Sequence, residues 1–209
     1  MSAALLLLAA CPSEEGGAAA STVGGSGSHE PGPSAIMTTG GEADAGELVV
    51  RGRIQGDLPD VPVKVLVLWS IETSTGEGLY SFGDGAVDGH EFSVAIREPL
   101  PLEATFGGVI GIGMLVLVPL DLVVPDGVLD EDFLDQMLGI SGKNSIVWRP
   151  DPVVALTDWP WANQFPSGYA CGHCVQSAEI ETFDGFAVGP CEGIAIYVPA
   201  ETAPWCEWT

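Results

Sequence analysis

The chain has 209 residues and a formal net charge of −23 at pH 7, from 29 acidic and only six basic side chains. This excess of negative charge argues against binding to nucleic acid and against adsorption on anionic lipid. Residues 12–45 contain no aromatic and no Lys or Arg side chain, and every aromatic residue lies beyond residue 46. We therefore expect one folded domain, residues 46–209, behind a polar tail.

The N-terminus begins with an apolar run over residues 3–10, which is too short to span a bilayer because that needs about 20 residues. The run ends in the small-residue sequence Leu8-Ala9-Ala10-Cys11. A short apolar run followed by small residues is typical of a secretory signal peptide. The positive charge that usually opens such a signal is missing, since the first basic residue is Arg51.

The Leu-Ala-Ala-Cys sequence resembles the lipobox of bacterial lipoproteins. The resemblance implies that residues 1–10 are a signal peptide, that Cys11 carries lipid, and that the protein lies in the cell envelope, periplasmic or surface-exposed, with the membrane as a partner. Pro12 differs from the Asp that retains such proteins at the inner membrane, so the resemblance favours the outer membrane. Residues 11–45, rich in Gly, Ala, Ser, Pro and Glu, then form a disordered tether, because they cannot bury enough apolar surface to fold.

Period-two alternation dominates the domain and predicts β-strands. In residues 91–97, Phe92, Val94 and Ile96 share one face, as expected for a half-buried strand. Arg51 and Arg53 share one face of another strand in the same way. The further predicted strands span residues 48–54, 63–69, 79–82, 109–118, 145–148, 169–175, 178–183 and 193–198.

Two connections complete the pattern. Residues 83–90 predict a turn-rich hairpin connection. Residues 130–138 predict one short helix, with Asp130 as its N-cap and Gly139 after its end. Many short strands with Gly and Pro turns and one helix predict a mainly β fold, a single antiparallel β-sandwich of the Ig-like or prealbumin-like type.

The first half of the domain carries a second resemblance. Its residues are Val50-Arg51-Gly52-Arg53-Ile54, the Val-rich stretch 63–68, and Gly89-His90-Glu91-Phe92-Ser93-Val94. They resemble prealbumin-like and carboxypeptidase-regulatory-like β-sandwich domains. The resemblance implies a non-catalytic accessory or structural module.

Four cysteines remain once Cys11 is lipidated, an even number in an oxidising compartment. We therefore predict that Cys171, Cys174, Cys191 and Cys206 form two disulfides. If the segment that holds Cys171 and Cys174 is extended, the two side chains point to opposite faces, and each pairs with Cys191 or Cys206. If the segment is a turn, they can pair with each other.

Two alternatives compete for these cysteines. Cys171-Gly172-His173-Cys174 has the letters of the redox centre of protein disulfide isomerases, a resemblance limited to four residues, which implies an envelope thiol-disulfide oxidoreductase. The four cysteines with His173 nearby could also hold a tetrahedral zinc ion. The spacing of Cys191 and Cys206 does not make the second half of a zinc ribbon. Structural disulfides are the preferred interpretation, with no metal and no cofactor.

Trp159 and Trp161 lie in a predicted loop and are the candidate ligand-contacting residues. Exposed Trp rings stack on sugars, which would make the domain a carbohydrate-binding module, whereas buried ones are core residues. No G-x-S-x-G or other catalytic motif is present. The sequence therefore predicts no catalytic residues and no enzyme, but a structural or binding domain whose partner is an envelope protein or a glycan.

Overall fold

The computed structural model describes residues 47–73, 76–124, 127–129, 131–151, 153–176 and 183–204. The signal peptide, Cys11 and the tether predicted from the sequence lie outside these ranges. The strands are β1 (Leu48–Gln55), β2 (Val63–Thr73), β3 (Gly76–Asp88), β4 (Glu91–Ile96), β5 (Gly111–Pro119), β6 (Gly127–Leu129), β7 (Gly139–Ile140), β8 (Asn144–Arg149), β9 (Gly168–Gln176), β10 (Phe183–Gly189) and β11 (Ile194–Tyr197). Short 3-10 helices span Leu102–Ala104, Glu131–Gln136, Pro160–Gln164 and Ala200–Thr202.

The strands form a closed barrel, so the predicted open antiparallel β-sandwich is wrong. Around the ring the order is β5-β2-β3-β4-β1-β11-β7, and β7 pairs with β5 again to complete seven strands. The pairs are antiparallel except for β1 and β11, which run parallel. An open sandwich leaves strand edges unpaired. Here β11 pairs with β1, and β7 pairs with both β11 and β5, which closes the ring. Strands β8, β9 and β10 extend the sheet from β5, and β6 pairs with β3.

Alternate residues of the ring strands fill the barrel interior. Strand β2 contributes Val65, Val67 and Trp69, and β5 contributes Leu115 and Leu117. The residues between them are buried too, in a second cluster on the outer face of these strands. Both strands are therefore apolar on two faces, which is the pattern that a sandwich or a barrel would equally require.

The predicted helix over residues 130–138 is a shorter 3-10 helix, Glu131–Gln136. Its Phe133 is buried in the cluster on the outer face of β2 and β5. Strand β7 begins at Gly139, so the segment has little room for the longer α-helix that its apolar spacing predicts. The predicted cap, Asp130, lies outside the described residues.

Two predicted strand boundaries also change. The structure continues β3 to Asp88, where the sequence predicts a connection over residues 83–90, and the turn consists of Gly89 and His90. Strand β10 covers Phe183–Gly189. The sequence instead places this strand at residues 178–183, most of which lie outside the described ranges.

Strand β5 has two successive neighbours on the side away from β2. Its first half pairs with β8 at residues 111–113, and its second half pairs with β7 at Val116 and Leu117. Strands β8, β9 and β10 therefore diverge from the ring at one end of the barrel. Ile146 of β8 and Cys171 of β9 still belong to the interior cluster, so the diverging strands continue the wall around the same core.

Trp69 is fully buried in this core and lies against two glycines of β5. A Cβ atom would come within 3.2 Å of the indole at Gly111 and within 3.0 Å of it at Gly113. The indole Nε1 donates a hydrogen bond to the carbonyl oxygen of Phe82 at 2.8 Å, and the ring contacts Tyr169 with centroids 5.9 Å apart. The glycines of β5 therefore make room for a large aromatic side chain.

Candidate functional site

The C-G-H-C motif that begins at Cys171 lies within strand β9. Cys171 forms a disulfide with Cys191, and their Cα atoms are 5.3 Å apart. Cys174 is also disulfide-bonded, while Cys206 lies outside the described residues. Because β9 is extended, Cys171 points into the barrel core and Cys174 toward the cluster on the opposite face. The disulfide bond expected from the cysteine count is present between Cys171 and Cys191.

This geometry is that of a structural disulfide, which holds two segments of the chain together. A redox centre of the disulfide-isomerase type bonds its two motif cysteines to each other at a helix N-terminus, which stabilises the thiolate. Cys171 instead lies in a strand, is bonded to Cys191 and is only 2% exposed, which restricts the attack of an external thiol. The carbonyl oxygen of Cys191 accepts a hydrogen bond from Arg51 N at 2.8 Å. The disulfide thus connects β9 to the segment before β11, which is hydrogen-bonded to β1.

The described residues offer few groups that could hold a metal ion. They contain no cluster of three or more His, Cys, Asp or Glu side chains with suitable geometry. Cys171 and Cys191 have no thiolate to donate while they form a disulfide. The exposed His173 packs its ring on Gly189, where a Cβ atom would lie 2.6 Å from Nδ1.

Trp159 and Trp161 are half-buried in the cluster that covers one face of β8, β9 and β10. Trp159 contacts Phe106 with ring centroids 5.4 Å apart. Trp161 meets Phe165 and Phe186 edge-on, at 6.0 Å and 5.4 Å. Both candidate ligand-contacting residues therefore contribute to packing and keep only part of each ring accessible.

Arg149, at the end of β8, holds the segment that carries these tryptophans. Its guanidinium donates hydrogen bonds to the carbonyl oxygens of Val154 and Ala162, although the residue is only 1% exposed. Its Nε has no hydrogen-bond partner and its charge no carboxylate partner in the described part of the chain. Burial lowers the pKa of Arg149 from its ordinary value. One sequence signal indicates this role, namely a basic side chain directly after the apolar stretch 145–148.

Two amide side chains fix the same segment. Asn163 accepts from Leu156 N at 2.8 Å through Oδ1 and donates to Leu156 O at 2.9 Å through Nδ2. Gln164 Nε2 donates to the carbonyl oxygens of Trp161 and Phe186 at 2.9 Å and 2.8 Å. Side chains therefore satisfy backbone groups that regular secondary structure would otherwise pair.

A shallow polar surface cavity of about 480 Å³, open to solvent, lies at the carboxyl end of β1 and is lined by Arg53, Ile54, Gln55, Gly56 and His90. His90 is in the turn before β4, and two contacts join it to β1. Ile54 N donates to the carbonyl oxygen of His90 at 2.7 Å, and the imidazole Nδ1 lies 3.1 Å from the carbonyl oxygen of Ile54. The lining contains no acidic residue.

The two arginines of β1 differ in their electrostatic partners. Arg51 lies 3.6 Å from a carboxylate oxygen of Glu192 in an exposed ion pair. Arg53 forms no ion pair with a described carboxylate, even though Glu91 lies opposite it in the β1–β4 register. A wall with an arginine and a histidine and no acid can bind an oxyanion. The sequence placed Arg53 on a strand face and His90 in a turn, but the register that joins them depends on the fold.

Comparison with known proteins gives no match, whether with protein-family models, curated proteins or solved structures. Among the described residues, no helix has both the length and the apolar character needed to cross a membrane.

Proposed function

We propose that this chain is a lipid-anchored protein of the cell envelope whose domain is a non-catalytic structural or binding module. The observation that carries the proposal is the disulfide between Cys171 and the partly buried Cys191, inside the barrel wall. Such bonds form and persist in oxidising compartments. The lipobox-like motif that ends in Cys11 is an independent feature and supplies a route to such a compartment.

In this proposal Cys11 carries the lipid and residues 12–45 connect it to the domain. A flexible chain of this composition has a root-mean-square span of about 5–6 Å × √n, or roughly 30 Å. The domain therefore stays close to the membrane, and Pro12 favours the outer one by resemblance to known sorting. A neighbouring envelope protein or a glycan is the kind of partner that this placement allows.

The described side chains support binding better than nucleophilic catalysis. Neither His90 nor His173 hydrogen-bonds a serine, threonine or cysteine side chain within the described ranges. A nucleophile activated by an adjacent base requires such a contact. The net charge of −23 makes a nucleic acid an unfavourable partner.

Metabolic labelling tests the proposal. The full chain is expressed with an alkyne-bearing fatty acid in a bacterium that processes lipoproteins. We expect the wild type to carry the label and enter the detergent phase, and Cys11→Ser to do neither. Cys191→Ser is the matched control, because it also removes a cysteine but leaves the lipobox intact. Label on Cys11→Ser, or no label on the wild type and the control, contradicts the proposal.

A further inference from the structure

We infer that the cavity at the carboxyl end of β1 is a binding site for hydrogen phosphate, an oxyanion that also carries a hydroxyl group. Its lining includes Arg53, Gln55 and His90, which have polar side chains, and Gly56, which has only backbone. The site goes beyond the proposed function, and none of its groups belongs to the tether or the lipid-attachment motif.

Arg53 supplies the positive charge. It is exposed on the outer face of β1 and forms no ion pair with a described carboxylate. A guanidinium group remains charged at all ordinary pH values, and its forked donors match two oxygens of a phosphate. Arg51 shares this face of β1 but is paired with Glu192 and is absent from the lining. The positive charge that lines the cavity is therefore that of Arg53, with the Glu91 carboxylate opposite it on the neighbouring strand.

His90 supplies a hydrogen-bond acceptor. Its Nδ1 lies 3.1 Å from the carbonyl oxygen of Ile54, and a carbonyl oxygen can only accept, so Nδ1 carries the hydrogen. In the neutral ring Nε2 is then a lone-pair acceptor. A ligand that contacts both Arg53 and His90 must accept at one atom and donate at another.

The floor of the cavity is fixed backbone. Gly56 has a φ of +99°, and a Cβ atom there would lie 2.0 Å from the carbonyl oxygen of Val198, so glycine is required. Val198 N donates to Gln55 O at 2.8 Å. The end of β1 is thus held by His90 on one side and by Val198 on the other. The backbone and the imidazole of the lining are positioned before a ligand arrives, which lowers the ordering cost of binding, whereas the exposed Arg53 side chain still has to be ordered.

Phosphate fits this combination and two similar anions do not. At pH 8 inorganic phosphate has charged oxygens for Arg53 and keeps a hydroxyl that donates to His90 Nε2. Sulfate has the same tetrahedral shape but no proton to donate. A phosphate monoester without other hydroxyl groups, such as methyl phosphate, has also lost its P–O–H at this pH, because the second pKa of such esters is about 6. The preference among the three therefore reports the chemistry of the site.

The test is a titration of the full chain carrying Cys11→Ser, followed by the amide NMR shifts of Gly56 and His90 at pH 8 and constant ionic strength. We expect saturable binding of inorganic phosphate with a Kd of about 1 mM, at least about fivefold tighter than sulfate or methyl phosphate, as expected for one added hydrogen bond. Arg53→Gln should weaken phosphate binding at least about tenfold, since it removes a charge-assisted hydrogen bond. Arg51→Gln is the matched control and should change the Kd less than about twofold.

A second variant tests the role of the imidazole. His90→Phe should remove the preference for phosphate over sulfate, because the lost acceptor serves only phosphate, while Arg53 still binds both anions. Absence of saturable shifts, equal losses in the two arginine variants, or equal affinity of the wild type for phosphate and sulfate overturns the inference. Tighter binding of methyl phosphate assigns the site to a phosphate monoester and also overturns it. Because the chain tested carries no lipid, failure here is distinct from failure of the anchoring proposal.

Discussion

Removal of the Cys171–Cys191 disulfide should destabilise the domain mainly by raising the conformational entropy of the unfolded chain. The bond closes a loop with a sequence separation of 20. The chain-entropy relation gives about 3 kcal/mol at 25 °C for a loop of this length. For a domain of this size, such a loss lowers the Tm by about 6–12 °C. The double variant Cys171→Ala/Cys191→Ala makes the change without leaving an unpaired partner.

Urea denaturation followed by tryptophan fluorescence, under non-reducing conditions, measures both the loss and its origin. If the disulfide acts on the unfolded chain, its removal lets that chain expand and expose more surface, so the slope of free energy against urea should rise. The free energy of unfolding should fall by about 3 kcal/mol. A loss below about 1 kcal/mol with an unchanged slope would refute the entropic reasoning.

Three further changes test the barrel and its core. Trp69→Phe leaves the carbonyl oxygen of Phe82 without its donor and opens space, so the free energy of unfolding in urea should fall by about 2–4 kcal/mol; wild-type stability would contradict this reading. Gly139→Ala places a Cβ atom 2.7 Å from a backbone oxygen of β11. The resulting overpacking should lower the free energy of unfolding by about 1–3 kcal/mol in the same assay. An unchanged urea midpoint would show that β7 is not closely packed against β11. Burial, with a smaller contribution from the charge of Glu98, raises the pKa of Tyr169 well above its ordinary value. An absorbance titration should find Tyr169 protonated at about pH 11, where free tyrosine is ionised. Because the unfolded chain releases this proton near pH 10 and the folded chain keeps it, stability should fall as the pH rises above about 10, and simultaneous titration of every tyrosine in the folded protein would contradict the assignment.

The sequence could predict which face of a strand each side chain occupies, because successive side chains along an extended chain point to opposite faces. Phe92, Val94 and Ile96 point into the core as their alternation indicates, and Arg51 and Arg53 point outward. The pairing partner of a strand is not encoded in this local pattern. Strands β2 and β5 are apolar on both faces, which suits a sandwich and a barrel equally. The choice between them depends on β7, which is too short to leave a periodic signal.

The candidate sites likewise combine features that follow from the local sequence with features that depend on how the strands pair. The sequence leaves open whether the segment with Cys171 and Cys174 is extended or a turn, and the structure shows it extended, with Cys171 bonded to Cys191. The cavity depends on a register, because Arg53 and His90 come together only when β1 pairs with β4. The hydrogen bonds of Arg149 depend on a segment that folds back over β8. Their acceptors are backbone carbonyl oxygens, which the residue types in the sequence do not reveal.

The parallel pairing of β1 with β11 also affects the order in which the strands can pair during folding. Gly52 lies opposite Ile194, so the first and last strands of the described chain are direct neighbours. While the chain emerges N-terminus first, β1 can pair with β4 early but must wait for nearly the whole domain before its other side is covered. Pairings between such distant segments form slowly, and an uncovered strand edge can recruit other chains in the meantime. We therefore expect the ring to be completed late in folding, and one edge of β1 stays uncovered until then.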